Sequence, residues 1–259
     1  MASTLRNIWA ITVKELRSYF VSPVAWVMMG LFAAIFGVFY VAHLNAFVAQ
    51  SMQSQFGGAA PNLNVNQHLI RGVLANASVL VLFILPMVTM RTYAEEKRSG
   101  TVELLLTSPL TDFEIIMGKF LGAVCLYAAL IAVTFVHVGL LFHYGQPDWR
   151  PLVAGYLGLL LQGSSFIAAG LFFSSTTKNQ MAAGAATFVV LLVFWIIGWF
   201  ADSAGPTMAA ILNNLSITQH FDDFAKGVID TKHLIFYLSF ITFWLFLTVK
   251  SLDTERWRG

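Results

Sequence analysis

Few side chains in this sequence can do chemistry, and many of those that can stand together. The stretch Arg91-Thr-Tyr-Ala-Glu-Glu-Lys-Arg-Ser-Gly-Thr-Val-Glu-Leu-Leu-Leu-Thr-Ser-Pro109 gathers Arg91, Glu95, Glu96, Lys97, Arg98, Thr101, Glu103 and Thr107 between two apolar runs. Each run is long enough to cross a bilayer, where a charged side chain at the midplane costs roughly 2.5–3.5 kcal/mol. The stretch therefore lies outside the hydrocarbon. Its second half reads as a short helix, with Gly100 as N-cap, Glu103 near the positive end of the dipole, and Val102, Leu105 and Leu106 at helical spacing. Pro109 ends it, and Thr111-Asp-Phe-Glu114 has the Ser/Thr-x-x-Glu pattern of a capping box for the next helix. Such a helix either docks on a soluble partner or lies as a solvated loop on lipid headgroups. The residues alone leave both open.

The remaining reactive types are scattered. His43, His68, His143, His220 and His233 fall near the proposed outer boundary and His137 within the third span, with no His-Glu-x-x-His spacing and no Cys/His cluster. Interfacial or packed histidines are the expectation, not a metal site. Asp222 and Asp223 either bind a substrate or cation or solvate one helix face. Cys125 is the single cysteine, inside an apolar run, so it forms no intrachain disulfide and reads as a small core hydrophobe. The proposed spans carry almost no ionisable groups away from their ends, against a proton relay, an ion-coupled carrier or a membrane enzyme. No Gly-x-x-x-x-Gly-Lys-Ser/Thr loop exists, so any ATP-derived energy must come from another polypeptide.

The elements that position these residues are apolar. The chain is 58% hydrophobic and 11% charged over 259 residues, with mean hydropathy +0.72, against about 25% charged in soluble domains. The expected fold is an all-α integral membrane protein with six transmembrane helices, forming one domain over 1–259. Residues 4–20 pattern as an amphipathic interface helix with Leu5, Ile8, Trp9, Val13, Leu16 and Phe20 in one stripe, and Ser22-Pro23 ends this 1–22 segment. Its charged start lacks the layout of a cleavable signal peptide. Spans are expected near 24–44, 70–90 (with Pro86), 115–144, 152–173, 181–200 and 233–249. A loop is expected over 45–69, a cytoplasmic segment over 91–114, and a charged tail from Lys250. Spans 4 and 5 are dense in Gly and Ala, as in a bundle interior or subunit contact. The outer segment 202–232 should hold two short helices, one opened by Pro206 and one by a Ser216/Gln219 capping box, either dipping into the interface or lying on it.

Six spans put both termini on one side, with eleven of the fifteen Lys and Arg; Arg71, Arg150, Lys226 and Lys232 lie opposite. The termini and 91–119 are therefore expected to be cytoplasmic.

Glu95-Glu-Lys-Arg-Ser-Gly-Thr-Val-Glu-Leu-Leu-Leu-Thr-Ser-Pro109, followed by Ile115-Ile-Met-Gly-Lys119, resembles the coupling-helix region of ABC-2-type transporter permeases. Lys14-Glu-Leu-Arg-Ser-Tyr-Phe-Val-Ser-Pro23 resembles that family's interface helix, and Phe221-Asp-Asp-Phe-Ala-Lys-Gly-Val-Ile-Asp230 its outer segment. The gliding-motility and nitrous-oxide-reductase-maturation permeases are the subgroup it is most similar to. The resemblance implies a non-enzymatic half-transporter in the cytoplasmic (inner) membrane. It would pair with a second permease copy and rest on a cytoplasmic ATP-binding-cassette subunit that holds ATP and Mg, with an outer or auxiliary subunit as a further partner. No cofactor, metal or nucleic acid is expected in this chain. The implied contact residues are Glu95, Glu96, Arg98, Gly100, Thr101, Glu103, Leu104 and Leu105, with Lys14 and Arg17 beside them. Substrate export and mechanical work remain alternatives. So do an assembly protein docking a non-ATPase and, less favoured by the residues, a membrane enzyme.

Overall fold

The computed structural model describes residues 2–56, 64–101, 109–145 and 147–256. It is all-helical among these residues, with six helices long and apolar enough to cross a membrane. In chain order the helices are α1 (Ala2–Val21), α2 (Pro23–Phe56), α3 (Arg71–Thr89), α4 (Ala94–Ser99), α5 (Asp112–Val133), α6 (Phe135–Tyr144), α7 (Trp149–Thr176), α8 (Gln180–Ile196), α9 (Pro206–Leu215), α10 (Ile217–Ala225) and α11 (Thr231–Arg256). Span 1 is α2, span 2 is α3 with a π-turn (Asn66–Ile70) before it, and span 3 is α5 continued by α6. Spans 4, 5 and 6 are α7, α8 and α11.

Several boundaries move relative to the sequence reading. Polarity marks where a chain leaves lipid, whereas helix ends are set by backbone breakers. Span 1 runs on past Leu44 to Phe56, because residues 45–56 contain neither Gly nor Pro. The expected tail from Lys250 likewise stays helical to Arg256. Span 3 breaks at Thr134, whose hydroxyl donates to the Ile131 carbonyl and meets the Tyr156 hydroxyl at 2.6 Å.

Spans 2 and 4 form the centre, burying 61% and 72% of their apolar windows, while spans 5 and 6 bury only 22% and 17%. The interior reading of the small residues thus holds for span 4. On span 5, Ala182 and Ala185 join Met181 and Val189 on an exposed face. Span 4 receives large side chains where it lacks a Cβ. A Cβ on Gly163 would sit 2.1 Å from the Tyr127 ring, and one on Gly158 would sit 2.4 Å from Phe224. The Tyr127 hydroxyl then donates to the Leu159 carbonyl at 2.6 Å. Close approach and backbone hydrogen bonding are what hold helices together where lipid removes the hydrophobic drive.

The 206–225 segment is a helical hairpin that dips back into the bundle. Its turn at Ser216 lies against Gly198, the Thr218 hydroxyl donates to the Trp195 carbonyl at 3.2 Å, and the Tyr237 hydroxyl donates to the Ile217 carbonyl at 3.1 Å. Trp195 and Tyr237 are six residues inside their spans' ends, roughly 9 Å at helical rise. Ser216 takes the N-cap position without capping by its side chain; its hydroxyl meets Thr218 at 2.9 Å, so the expected box does not form.

Gly163→Ala should lower the thermal midpoint in detergent, at a cost of about 1–3 kcal/mol for the overpacked contact. Gly139→Ala, where nothing lies within 4 Å of the added carbon, should leave it nearly unchanged. Tryptophan fluorescence melts of both variants compare the two sites.

Candidate functional site

The charged stretch of the sequence sits on one end of the bundle as a short, rigidly held helix. Gly100 terminates α4 in the left-handed conformation (φ 73°), and the Thr101 amide donates to the Glu96 carbonyl at 3.0 Å. Gly100 is therefore the C-cap of α4, a role in which positive φ favours glycine; the short helix expected after it falls on 102–108, outside the described residues. At the other end of α4, the Ser174 hydroxyl from span 4 accepts from the amides of Tyr93 (3.0 Å) and Ala94 (3.1 Å) and donates to the Met90 carbonyl (3.1 Å). One side chain thus satisfies the helix start and the end of span 2 together.

Beneath α4 lies a buried ammonium. Lys119, 1% exposed, donates to Glu96 Oε1 at 2.7 Å, Glu15 Oε1 at 3.0 Å and the Thr92 carbonyl at 3.1 Å. All three of its donors are used. The Tyr93 ring lies 5.1 Å from the nitrogen, adding a cation–π contact. Tyr19, from α1, packs beside the same cluster, where burial pushes its hydroxyl up to about 12. Lys119 therefore ties α1, the 91–100 segment and span 3 at a single atom.

The packing of α1 explains how Glu15 gets there. A Cβ on Gly118 would lie 2.5 Å from the Ile11 side chain, and one on Gly122 would lie 2.8 Å from Glu15. This glycine notch seats α1 directly on span 3. The Thr12 hydroxyl lies 3.2 Å from the Gly118 carbonyl, and Asn7 donates to Glu114 at 3.3 Å. Glu114 in turn completes the expected capping box with Thr111. The apolar stripe expected on α1 splits: Ile8 and Leu16 turn toward the protein with Ile11, Thr12 and Glu15, while Leu5, Trp9 and Val13 are exposed.

A second ionic cluster closes the opposite end. Arg71 donates to Asp222 Oδ1 (2.6 and 3.2 Å), Lys226 pairs with Asp222 (2.6 Å) and Asp223 (3.1 Å), and Asp223 Oδ2 meets His233 Nε2 at 2.8 Å. His220 Nε2–H donates to the Asn214 carbonyl at 3.0 Å, and its Nδ1 lies 2.6 Å from His233 Nδ1. Both aspartates are thus occupied by cations of this chain, a solvating pair that also fastens α10. Burial raises both carboxyls, but hydrogen bonds from Lys226 and Arg71 on Asp222, and from His233 and Lys226 on Asp223, outweigh it and leave both below the ordinary carboxylate range. Burial also pushes His220 down, against the Asn214 bond. Among the described residues no group of three His, Cys, Asp or Glu is placed to hold a metal ion.

Residues 9–249 match the ABC-2 family transporter protein. The chain belongs to the ABC-2 family. It is 28% identical over 171 residues to the probable multidrug ABC transporter permease YbhR of Escherichia coli K12, covering 65% of this chain and 45% of that one. It is also 25% identical over 172 residues to the inner membrane transport permease YhhJ of the same strain, with the same 65% and 45% coverage. The chain thus spans about half the length of the curated relatives it matches.

In this ABC-2 permease the sequence-selected contact residues divide. Glu95, Arg98, Gly100 and Thr101 are exposed on and after α4, and Lys14 and Arg17 are exposed on the neighbouring α1. Glu96 is half-buried and turned inward to Lys119. Glu103, Leu104 and Leu105 lie outside the described residues. Sequence reasoning missed the inward set of Glu15, Thr92, Lys119 and Ser174. A lone lysine just inside an apolar span was the available signal, since such a charge needs a carboxylate from somewhere.

Lys119→Met should destabilise the permease by about 3 kcal/mol, because it strands two partly buried carboxylates. Adding Glu15→Gln and Glu96→Gln should recover much of that loss, read as thermal midpoints in detergent. At the opposite end the pH dependence has a definite sign. Burial holds the folded His220 below its unfolded value of 6.5, so stability is lost as pH falls through that value. The aspartates add a further loss only as pH falls below 3.8. Melts across that range should show His220→Gln flattening the decline just below pH 6.5.

Proposed function

We infer that this chain is the membrane-spanning subunit of an ATP-binding-cassette transporter, driven by a separate ATP-hydrolysing subunit that docks on the exposed edge of segment 91–101 beside α1. The observation that supports this most is the two-sided character of α4. Its outward residues Glu95 and Arg98, with Gly100 and Thr101, are free to meet a partner, while its inward residues are fixed to three helices. A force on such a segment moves spans 2, 3 and 4 together, since its inward side chains are buried and bonded to them.

On this reading the 91–101 face and both termini are cytoplasmic, in accord with the excess of Lys and Arg there. Two permease copies form the membrane unit in the inner membrane, and ATP and Mg bind the partner. The work delivered is substrate export or mechanical work on an outer component. The wider names of the relatives, a multidrug transporter among them, make amphiphilic compounds the first substrates to screen.

Affinity purification from native membranes in mild detergent should bring down a stoichiometric ATPase. In a Cys125→Ala background, Thr101→Cys should be shielded from a membrane-impermeant thiol reagent only when that subunit is bound. Equal labelling with and without it would sink the docking face. A co-purifying protein without ATPase activity would favour a scaffold instead.

A further inference from the structure

Lys97 stands in the middle of the contact segment yet faces inward, with only 5% of its side chain exposed. Its ammonium donates to the Ser175 carbonyl at the end of span 4 and pairs with Glu255 Oε1 at 2.5 Å. Ser251 donates to that same carbonyl at 3.3 Å, and Leu252 between them is buried in the core. The last turn of span 6 therefore lies against both α4 and the end of span 4.

Span 6 is also mechanically unlike the others. Thr231–Arg256 contains no Gly and no Pro, whereas each of the other five spans contains Gly, and span 2 also contains Pro86. It is one unbroken helix, and kinks need breakers of that kind. At its far end His233, 2% exposed, holds Asp223 and His220, and one turn on Tyr237 holds the Ile217 carbonyl. Glu255 and His233 are roughly 33 Å apart along the helix at 1.5 Å per residue. Along its length it packs chiefly on span 4, so a shift of the rod is a slide along that one helix.

We propose that Glu255 is a positioning residue through which span 6 links α4 to the 206–225 hairpin at the opposite end. A displacement of α4 moves the Lys97–Glu255 pair, the stiff helix carries the displacement, and His233 and Tyr237 deliver it to α10. This gives the work of the transporter a route that does not pass through the broken span 3 or the glycine-notched span 4. The proposal rests on α4 being the driven segment, but the mechanical link itself is testable without a partner.

Backbone hydrogen exchange of the permease alone in lipid nanodiscs tests it. Glu255→Gln should speed exchange several-fold both in 94–101 and in 217–228, at opposite ends of the molecule. Asp253→Asn, whose carboxylate meets only the exposed Lys250 at 3.5 Å among the described residues, should change neither. The exchanged pair Lys97→Glu with Glu255→Lys should restore both regions, which a merely local packing defect would not predict. Faster exchange confined to 94–101, or no change at either end, would overturn the link. Failure of the docking reading would show separately, as a purification that brings down no ATPase while the exchange result stands.

Discussion

Everything at the α4 end depends on the need to satisfy one ammonium group out of water. An ionised amine in a low-dielectric setting costs several kcal/mol even after relaxation, and only close, well-directed acceptors offset it. Lys119 finds them on α1, at the end of span 2 and on the segment after it. The three acceptors must therefore arrive together, which fixes the positions of α1, the end of span 2 and α4 relative to span 3. Hydrophobic contacts would hold the same helices with less positional precision, because apolar packing is non-directional. The glycine notch at Gly118 and Gly122 is a precondition, since only close approach brings the Glu15 carboxylate within reach.

The opposite end applies the same chemistry more loosely. Arg71, Asp222, Lys226 and Asp223 are each more than a third exposed, so water screens those pairs and each contributes little on its own. The buried part is the histidine pair, which joins the hairpin to span 6. The permease is thus tightly tied at one end, hinged by exposed pairs at the other, and packed through spans 2 and 4 between. If a partner drives α4 as proposed, that gradient of stiffness is the useful arrangement.

Much of the fold was legible because hydropathy reports bilayer crossing directly: six spans, the hairpin helix at Pro206 and the Thr111/Glu114 box all follow from short-range pattern. What failed, failed for physical reasons. The stripe on α1 could not reveal its buried face, because lipid headgroups and span 3 both accept apolar residues. The pairs Glu15–Lys119, His220–His233 and Lys97–Glu255 join residues 104, 13 and 158 positions apart, and no local spacing encodes them. Of the implied contact face, the exposed residues on α4 and α1 were readable as a cluster of charge, but the inward turn of Glu96 and Lys97 was not.

The order of these pairs along the chain has a consequence for how the molecule is built. Chains emerge from the ribosome N-terminal end first. Glu15 and Glu96 both precede Lys119, so the third span meets a bilayer already holding the carboxylates its charge requires. Lys97 is in the reverse situation. Its carboxylate comes 158 residues later, on the last turn of the sixth span, so α4 cannot be locked until that span has been inserted. The segment that would receive a partner is completed by the last helix made, and a chain cut short in synthesis presents it unfinished.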